Sequence, residues 1–594
     1  MTKFNLSKVK KFRKRFGAAA LVFMMSISST LGTSASMLDS VFVKAKTASE
    51  KEEQEVVSEA EEVNANSYGL CDNIQDGTIL HCFDWKYSQI KEELPNIAAA
   101  GFTSVQTSPA QKGDGDVWYW LYQPQTFSIQ PNALGNKDEL TALCAEAEKY
   151  GIKVIVDVVA NHTRAIGDDG LGGDCYHNDG DAKYDSRYGI THGKIGMPDL
   201  NSESPTVQNK VKGYIEELKS VGVDGIRWDA AKHISLPSEN CQFWPVVTSV
   251  GLYNYGEILV GPLESGGEGL MKEYTNYMSV TDNKYGQAIR EAFEKGGVPS
   301  SIGNWSERGV AKNKLVYWGE SHDTYSNNGE YGEATQWIDQ NKIDRAYAVV
   351  AGQGLASSLY FSRPYEKDKH SIKAGVKGST SFTSKEVAAV NHLHNACVGE
   401  KDYYVNGGDA AAVCRETGAV IVKGSGSGHV SIANGGGTTA PGTYKDEITG
   451  NTWTVTADTI SGDVGDTGIA VFYSGTGGSN GGSNGGSTTV TTPPTKTPNG
   501  GGSSSSITAA ANTIVASMPS GWSSMNIYAY QEGATATKLT GEWPGTKMTA
   551  GSDGKYTYTM DASVTSAKII FTDGTNQDPV DVVGQACGYD YVGG

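Results

Sequence analysis

GVDGIRWDAAKH, residues Gly222–His233, is the stretch whose reading decides the fold. Val223–Trp228 reads as a short buried strand, with Asp229 at its C-terminal end. Arg227 and Asp229 are two positions apart, so their side chains project to one side of the strand. A carboxylate beside a guanidinium at the C-terminal end of a strand is where a parallel α/β barrel places its chemistry. The guanidinium would keep Asp229 ionised and oriented, which suits a nucleophile. A purely structural Arg–Asp pair would leave the same local pattern, so the other strand ends must decide between the two.

Three more apolar stretches end in polar, acidic residues. GIKVIVDVVANH (Gly151–His162) carries Asp157, Asn161 and His162, GLYNYGEILVG (Gly251–Gly261) carries Glu257, and LVYWGESHD (Leu315–Asp323) carries His322 and Asp323. Asp229 follows Asp157 by 72 residues, Glu257 follows Asp229 by 28, and Asp323 follows Glu257 by 66. Four such ends in order are not four structural accidents. They resemble the four signature motifs of the α-amylase family, glycoside hydrolase family 13, over roughly Cys71 to Ser474. WYWLYQP (Trp118–Pro124), GEIL, SHDTY and FSRP are similar to the wording of secreted bacillus members.

Strand and helix signals alternate through this region. Strands are predicted at Thr78–Phe83, Phe102–Gln106, Val154–Val159, Val223–Trp228, Tyr253–Gly256, Tyr277–Thr281, Leu315–Gly319 and Ser358–Phe361, and helices at Ser88–Ala100, Lys137–Tyr150 and Thr206–Val221. Eight strands with intervening helices predict a (β/α)8 TIM barrel over 71–379. Thr163–Pro205, rich in Gly, Asp and His, is too long for a barrel loop. The resemblance makes it a small domain inserted beside the cleft. Residues 380–474 turn to short β-type runs and predict an antiparallel β-sandwich. Residues 475–506 are a Gly/Ser/Thr/Pro linker, and 507–594 form a separate β module.

At 594 residues the chain is too long for one core. Its net charge of −18 argues against nucleic acid and anionic membrane as partners. Residues 1–16 hold seven Lys or Arg, followed by apolar Ala18–Ile27. This reads as a secretory signal peptide within 1–45, with cleavage after Ala35 or Ala45, so the mature chain is expected outside the cell with no membrane anchor. Residues 46–70 read as an acidic disordered spacer. The eight cysteines show no CxxC spacing, so zinc is not expected from them. Export permits disulfides; Cys71–Cys82 and Cys397–Cys414 are the nearest pairs, and no pairing is fixed.

Glycoside hydrolysis needs two carboxyl groups across the scissile bond. The resemblance implies Asp229 as nucleophile, Glu257 as general acid/base and Asp323 as the third carboxylate, holding a distorted sugar. Glu257 would need a raised pKa, from its apolar strand and the Asp229 charge. By the same resemblance His162 and His322 bind the glucose at the cleavage point. Tyr122 stacks under it with Gln123 alongside, Lys232 reaches the sugars on the leaving-group side, and Arg227 and His233 are further substrate-binding residues. Asn161, Asp199 and the carbonyls of Thr191 and His233 would ligate a structural Ca2+; the Thr191–Asp199 spacing is one residue short of the family pattern. Chloride near Arg227, with Arg363 as a second cation, is left open.

Within 507–594, NIYAY (Asn526–Tyr530), GEWPGTKM (Gly541–Met548) and IIFTDGTNQ (Ile569–Gln577) resemble starch-binding modules of carbohydrate-binding family 26. Tyr528 and Tyr530 share a strand face. With Trp543 they would stack on glucose rings, helped by Gln577. The resemblances together imply a secreted, monomeric, retaining endo-acting α-amylase whose partners are starch and maltooligosaccharides. A non-catalytic starch-binding surface protein on the same barrel is the alternative class, and an exo-acting or transglycosylating relative is the sibling reading.

Overall fold

A computed structural model describes residues 68–259, 267–300, 309–330 and 333–474, and in the C-terminal region 513–517, 524–531, 537–542, 544–550, 555–559, 566–572, 582–585 and 588–591. The expected signal peptide, nearly all of the spacer, and the linker lie outside the described residues.

Eight parallel strands close into a barrel in chain order: β1 Thr78–Cys82, β2 Ser104–Thr107, β3 Lys153–Val159, β4 Gly225–Asp229, β5 Tyr253–Gly256, β6 Ser279–Thr281, β7 Leu315–Trp318 and β8 Ser357–Phe361. Neighbouring strands run in register, with Asp157 of β3 opposite Arg227 of β4. Strands buried on both faces read as short apolar runs, which is why sequence placed them within two residues. In β4 the alternation separates two jobs. Trp228 points outward, packs edge-on against Trp244 at 5.4 Å and donates its indole N–H to Asn254 at 2.9 Å. Arg227 and Asp229 take the other side.

The helices begin where the chemistry of their first turn dictates. Asn136 caps Lys137–Lys149 and is reciprocated by Glu139. Pro205 opens Pro205–Ser220, the helix that leads into β4. One helix runs against expectation. Lys385–Ala396, started by the Ser384 side chain, lies where sequence placed the β domain. Its Val387, Ala389, Val390 and Leu393 belong to the barrel core, so the barrel unit extends past residue 379. Ser384, in the stretch where β-type runs were expected to begin, is the helix cap.

Two four-stranded antiparallel sheets follow. One holds β9 Asp402–Gly407, β10 Ala410–Arg415, β11 Gly418–Lys423 and β16 Ile469–Tyr473; the other holds β12 Gly428–Ala433, β13 Gly442–Lys445, β14 Thr452–Val455 and β15 Thr459–Val464. The inner strands β10 and β11 are buried on both faces: Val413, Val420 and Val422 join the barrel core, while Ala412, Cys414 and Ile421 meet Trp453 of the second sheet. Strands β12 and β14 alternate buried and exposed residues, as expected with one face in water. All seven described cysteines are free thiols, so neither nearest pair is bridged.

In the C-terminal region, Asn526–Gln531 pairs antiparallel with Ser566–Thr572, and Thr513–Ser517 with Lys555–Thr559. These pairs belong to two separate sheets. Ile527 and Ala529 are fully buried while Tyr528 between them is partly exposed, so Tyr528 faces away from the module core. Trp543, Gln577 and the side chain of Tyr530 lie outside the described residues.

Candidate active site

One guanidinium organises the C-terminal mouth of the barrel. Arg227 Nη1 donates to both oxygens of Asp157 at 3.0 Å and to Asp229 Oδ1 at 2.8 Å. Its Nη2 lies 2.9 Å from Glu257 Oε2. Glu257 Oε2 also accepts the Ala230 N–H at 3.0 Å. Ala230 reaches it by adopting a left-handed backbone, φ 47 and ψ 31, which is uncommon for a residue with a Cβ and typical of functional sites.

Three carboxyl groups share one buried cation, and burial acts on the two aspartates. It pushes Asp157 up to about 6 against the opposing pull of Arg227. It pushes Asp229 well above the carboxylate range; Arg227 opposes this, and the charges of Glu257, Asp157 and Asp323 add to it. The sequence reading gave Arg227 enough weight to keep Asp229 ionised. In the fold the guanidinium is divided among three acids. Asp323 is raised by burial as well, with its Oδ1 accepting from Asn327 at 3.0 Å.

The expected sugar-binding residues surround this cluster. Tyr122, in the loop after β2, donates its hydroxyl to Asp157 Oδ2 at 3.0 Å and stacks on His322 at 5.2 Å, 17° from parallel. His322 lies 3.1 Å from Asp323. Burial holds His322 down to about 3 and His162 to about 4, so both imidazoles are neutral at ordinary pH. His162 Nε2 hydrogen-bonds the Tyr122 carbonyl at 3.0 Å, which fixes the loop carrying Tyr122. Gln123 is partly exposed beside it. Lys232 Nζ donates to the Leu259 carbonyl at 2.6 Å and sits over the Tyr184 ring. His233 differs from expectation: its ring bonds the Ile190 carbonyl at 2.9 Å, facing the insertion and not the cleft. Arg363 also differs. Its guanidinium donates twice to Glu320 at 2.7 Å and to the Thr335 and Ile338 carbonyls, so its donors serve the protein and are not presented to an anion.

In the insertion, Asn161 Nδ2 donates to Asp199 Oδ1 at 3.1 Å. Thr191 ends the short helix Arg187–Thr191, and the His233–Ile190 bond ties that helix to the turn Ala231–His233. The Asp199 carboxyl is buried and pushed up to about 6 by that burial. Asn161 and Asp199 thus bring an amide oxygen and a buried carboxylate together, donors of the kind calcium takes.

Known proteins share both halves of the chain. Residues 514–582 match the family model of starch-binding module 26. The α-amylase of Clostridium acetobutylicum is 34% identical over 385 residues, covering 60% of this chain and 48% of that protein. That of Butyrivibrio fibrisolvens is 30% identical over 423 residues, covering 60% and 43%. The chain is similar to bacterial α-amylases. It spans about half the length of these curated relatives. Among solved structures, a maltohexaose complex of α-amylase I from Eisenia fetida aligns with TM-score 0.55 at 18% identity, covering 67% of this chain and 97% of that one. This last likeness is one of fold, a barrel followed by a β domain.

Two features of the amylase-like barrel were not foreseen. Asp157 was seen only as a strand-end acid, yet its position opposite Arg227 makes it the guanidinium's second anchor. Arg187 clamps the turn after β4: it pairs with Glu239 at 2.7 Å and donates to the Lys232 and Ile234 carbonyls and the Tyr274 hydroxyl. No local motif marks an arginine whose partners lie 45 to 87 residues away.

Removing Arg227 leaves several buried carboxyl groups without their cation. Arg227→Met should destabilise the amylase-like barrel by about 3–5 kcal/mol. Arg227→Met with Asp157→Asn should recover part of that loss, because one of the unpaired acids is gone. Thermal melts of the two variants beside the parent check this. An Arg227→Met melt equal to the parent's would show that the cluster does not depend on this cation.

Proposed function

We propose that the chain is an extracellular α-amylase that cleaves internal α-1,4 bonds of starch with retention of configuration. The observation that carries this reading is one guanidinium holding Asp229 on one nitrogen and Glu257 on the other. A single Arg bridges two carboxyl groups only when they are close, and retaining glycosidases keep theirs about 5–5.5 Å apart. Asp229 would attack the anomeric carbon. Glu257 would protonate the leaving oxygen and then take a proton from water. Asp323 and the neutral His322 would hold ring hydroxyls, and these contacts strengthen as the ring flattens toward the oxocarbenium-like transition state. Tyr122, braced by Asp157 and His322, would offer its ring face to the sugar. The basic, apolar start of the chain supports export.

Asp229→Asn and Glu257→Gln should each reduce starch hydrolysis by three orders of magnitude or more while the melt and starch binding persist. Proton NMR of fresh products should show the α-anomer. Near-parental turnover in either variant would refute that residue's role, and β-anomer would refute the mechanism.

Calcium would be held by Asn161, Asp199 and the Thr191 and His233 carbonyls, pinning the insertion to the barrel. A ligand bound only by the folded state stabilises it by mass action. Chelation should lower the melting temperature, calcium should restore it, and Asn161→Ala should blunt the response. A melt indifferent to both chelator and calcium would remove the site.

The C-terminal module would keep the barrel near starch granules, raising the effective substrate concentration. Deleting 507–594 should cut activity on raw granules far more than on soluble maltooligosaccharides, and Trp543→Ala should do much the same. Equal losses on both substrates would contradict tethering.

A further inference from the structure

A second cluster in the insertion is built differently from the calcium residues. His177, His192 and Glu203 each offer one ligand atom, and these atoms all lie within 4.8 Å of one another. His177 Nε2 is 3.0 Å from Glu203 Oε2, and His192 Nε2 is 3.9 Å from Glu203 Oε1. The two imidazole rings lie 4.3 Å apart. We infer that these three side chains bind a zinc-type divalent cation, a site separate from the oxygen-lined calcium position.

The outer contacts of each histidine carry the argument. His177 Nδ1 is bonded at 2.7 Å to Oδ2 of the buried Asp199. An acid there orients the ring and sets Nε2 against Glu203, with a proton between them that an entering cation would replace, the carboxylate–histidine–metal arrangement of zinc proteins. His192 Nδ1 lies 2.9 Å from Thr191 Oγ1. That hydroxyl also bonds the Arg187 and Tyr188 carbonyls. Both rings are therefore held at Nδ1 with Nε2 toward Glu203.

Glu203 Oε1 is buried and accepts no hydrogen bond of normal geometry. A cation would engage it. Two imidazoles and one carboxylate suit zinc, whereas calcium takes oxygen ligands. The bound ion would join the insertion, through His177 and His192, to the residue that precedes the helix feeding β4. Asp199 would serve both ions, with Oδ1 toward Asn161 and Oδ2 toward His177.

The full chain is stripped of metal, refilled with excess calcium and titrated with cobalt(II). One equivalent should give intense visible bands of a low-coordinate ion, and zinc should displace it. His192→Ala, which leaves the Asp199 contacts in place, should weaken binding at least 100-fold. Thr191→Val removes only the Nδ1 partner and should weaken it about 10–100-fold. His429→Ala, on the exposed edge of the β domain, should change nothing. If His192→Ala does not fold, Glu203→Gln takes its place. Octahedral cobalt spectra, no binding above calcium, or equal affinity in parent and His192→Ala would each overturn the site.

Discussion

The Arg227 guanidinium is the constraint on which the site depends. It is buried inside a barrel, where an isolated charge is expensive, and it is tolerated because Asp157, Asp229 and Glu257 surround it. The same need positions the acids. Each must approach one nitrogen closely, so their spacing is fixed by the fork and not by their own rotamers. Residues from β3, β4 and the end of β5 are thereby locked into one geometry, and Tyr122 joins through Asp157.

Around this centre the fold supplies rigidity in layers. The outward face of β4 packs Trp228 against Trp244, so the strand cannot rotate without breaking an aromatic contact. The turn after Asp229 is held by the left-handed Ala230 and by Arg187 gripping the Lys232 and Ile234 carbonyls. The β domain is not an appendage. One face of its first sheet is continuous with the barrel core, and Lys385–Ala396 packs between them.

The insertion is organised by polar contacts more than by apolar burial. Asp199 faces Asn161 on one oxygen and His177 on the other, and Glu203 faces two histidines.

By itself the sequence determined the barrel, the order of its strands and the residues at their C-terminal ends. Buried parallel strands are apolar runs, and functional residues interrupt those runs at their ends. It also marked the C-terminal module, through NIYAY, GEWPGTKM and IIFTDGTNQ. It missed β9, β13 and β15, half-exposed strands rich in Gly, Asp and Thr, and it missed Lys385–Ala396, in the stretch where β-type runs were expected to begin. Only the tertiary structure decided how Arg227 divides its charge among acids from three strand ends, that His233 turns toward the insertion, and that Arg363 is taken by Glu320. It also decided that His177, His192 and Glu203 meet. These are pairings between residues far apart in the chain, and their energies depend on burial and direction, which no local pattern encodes.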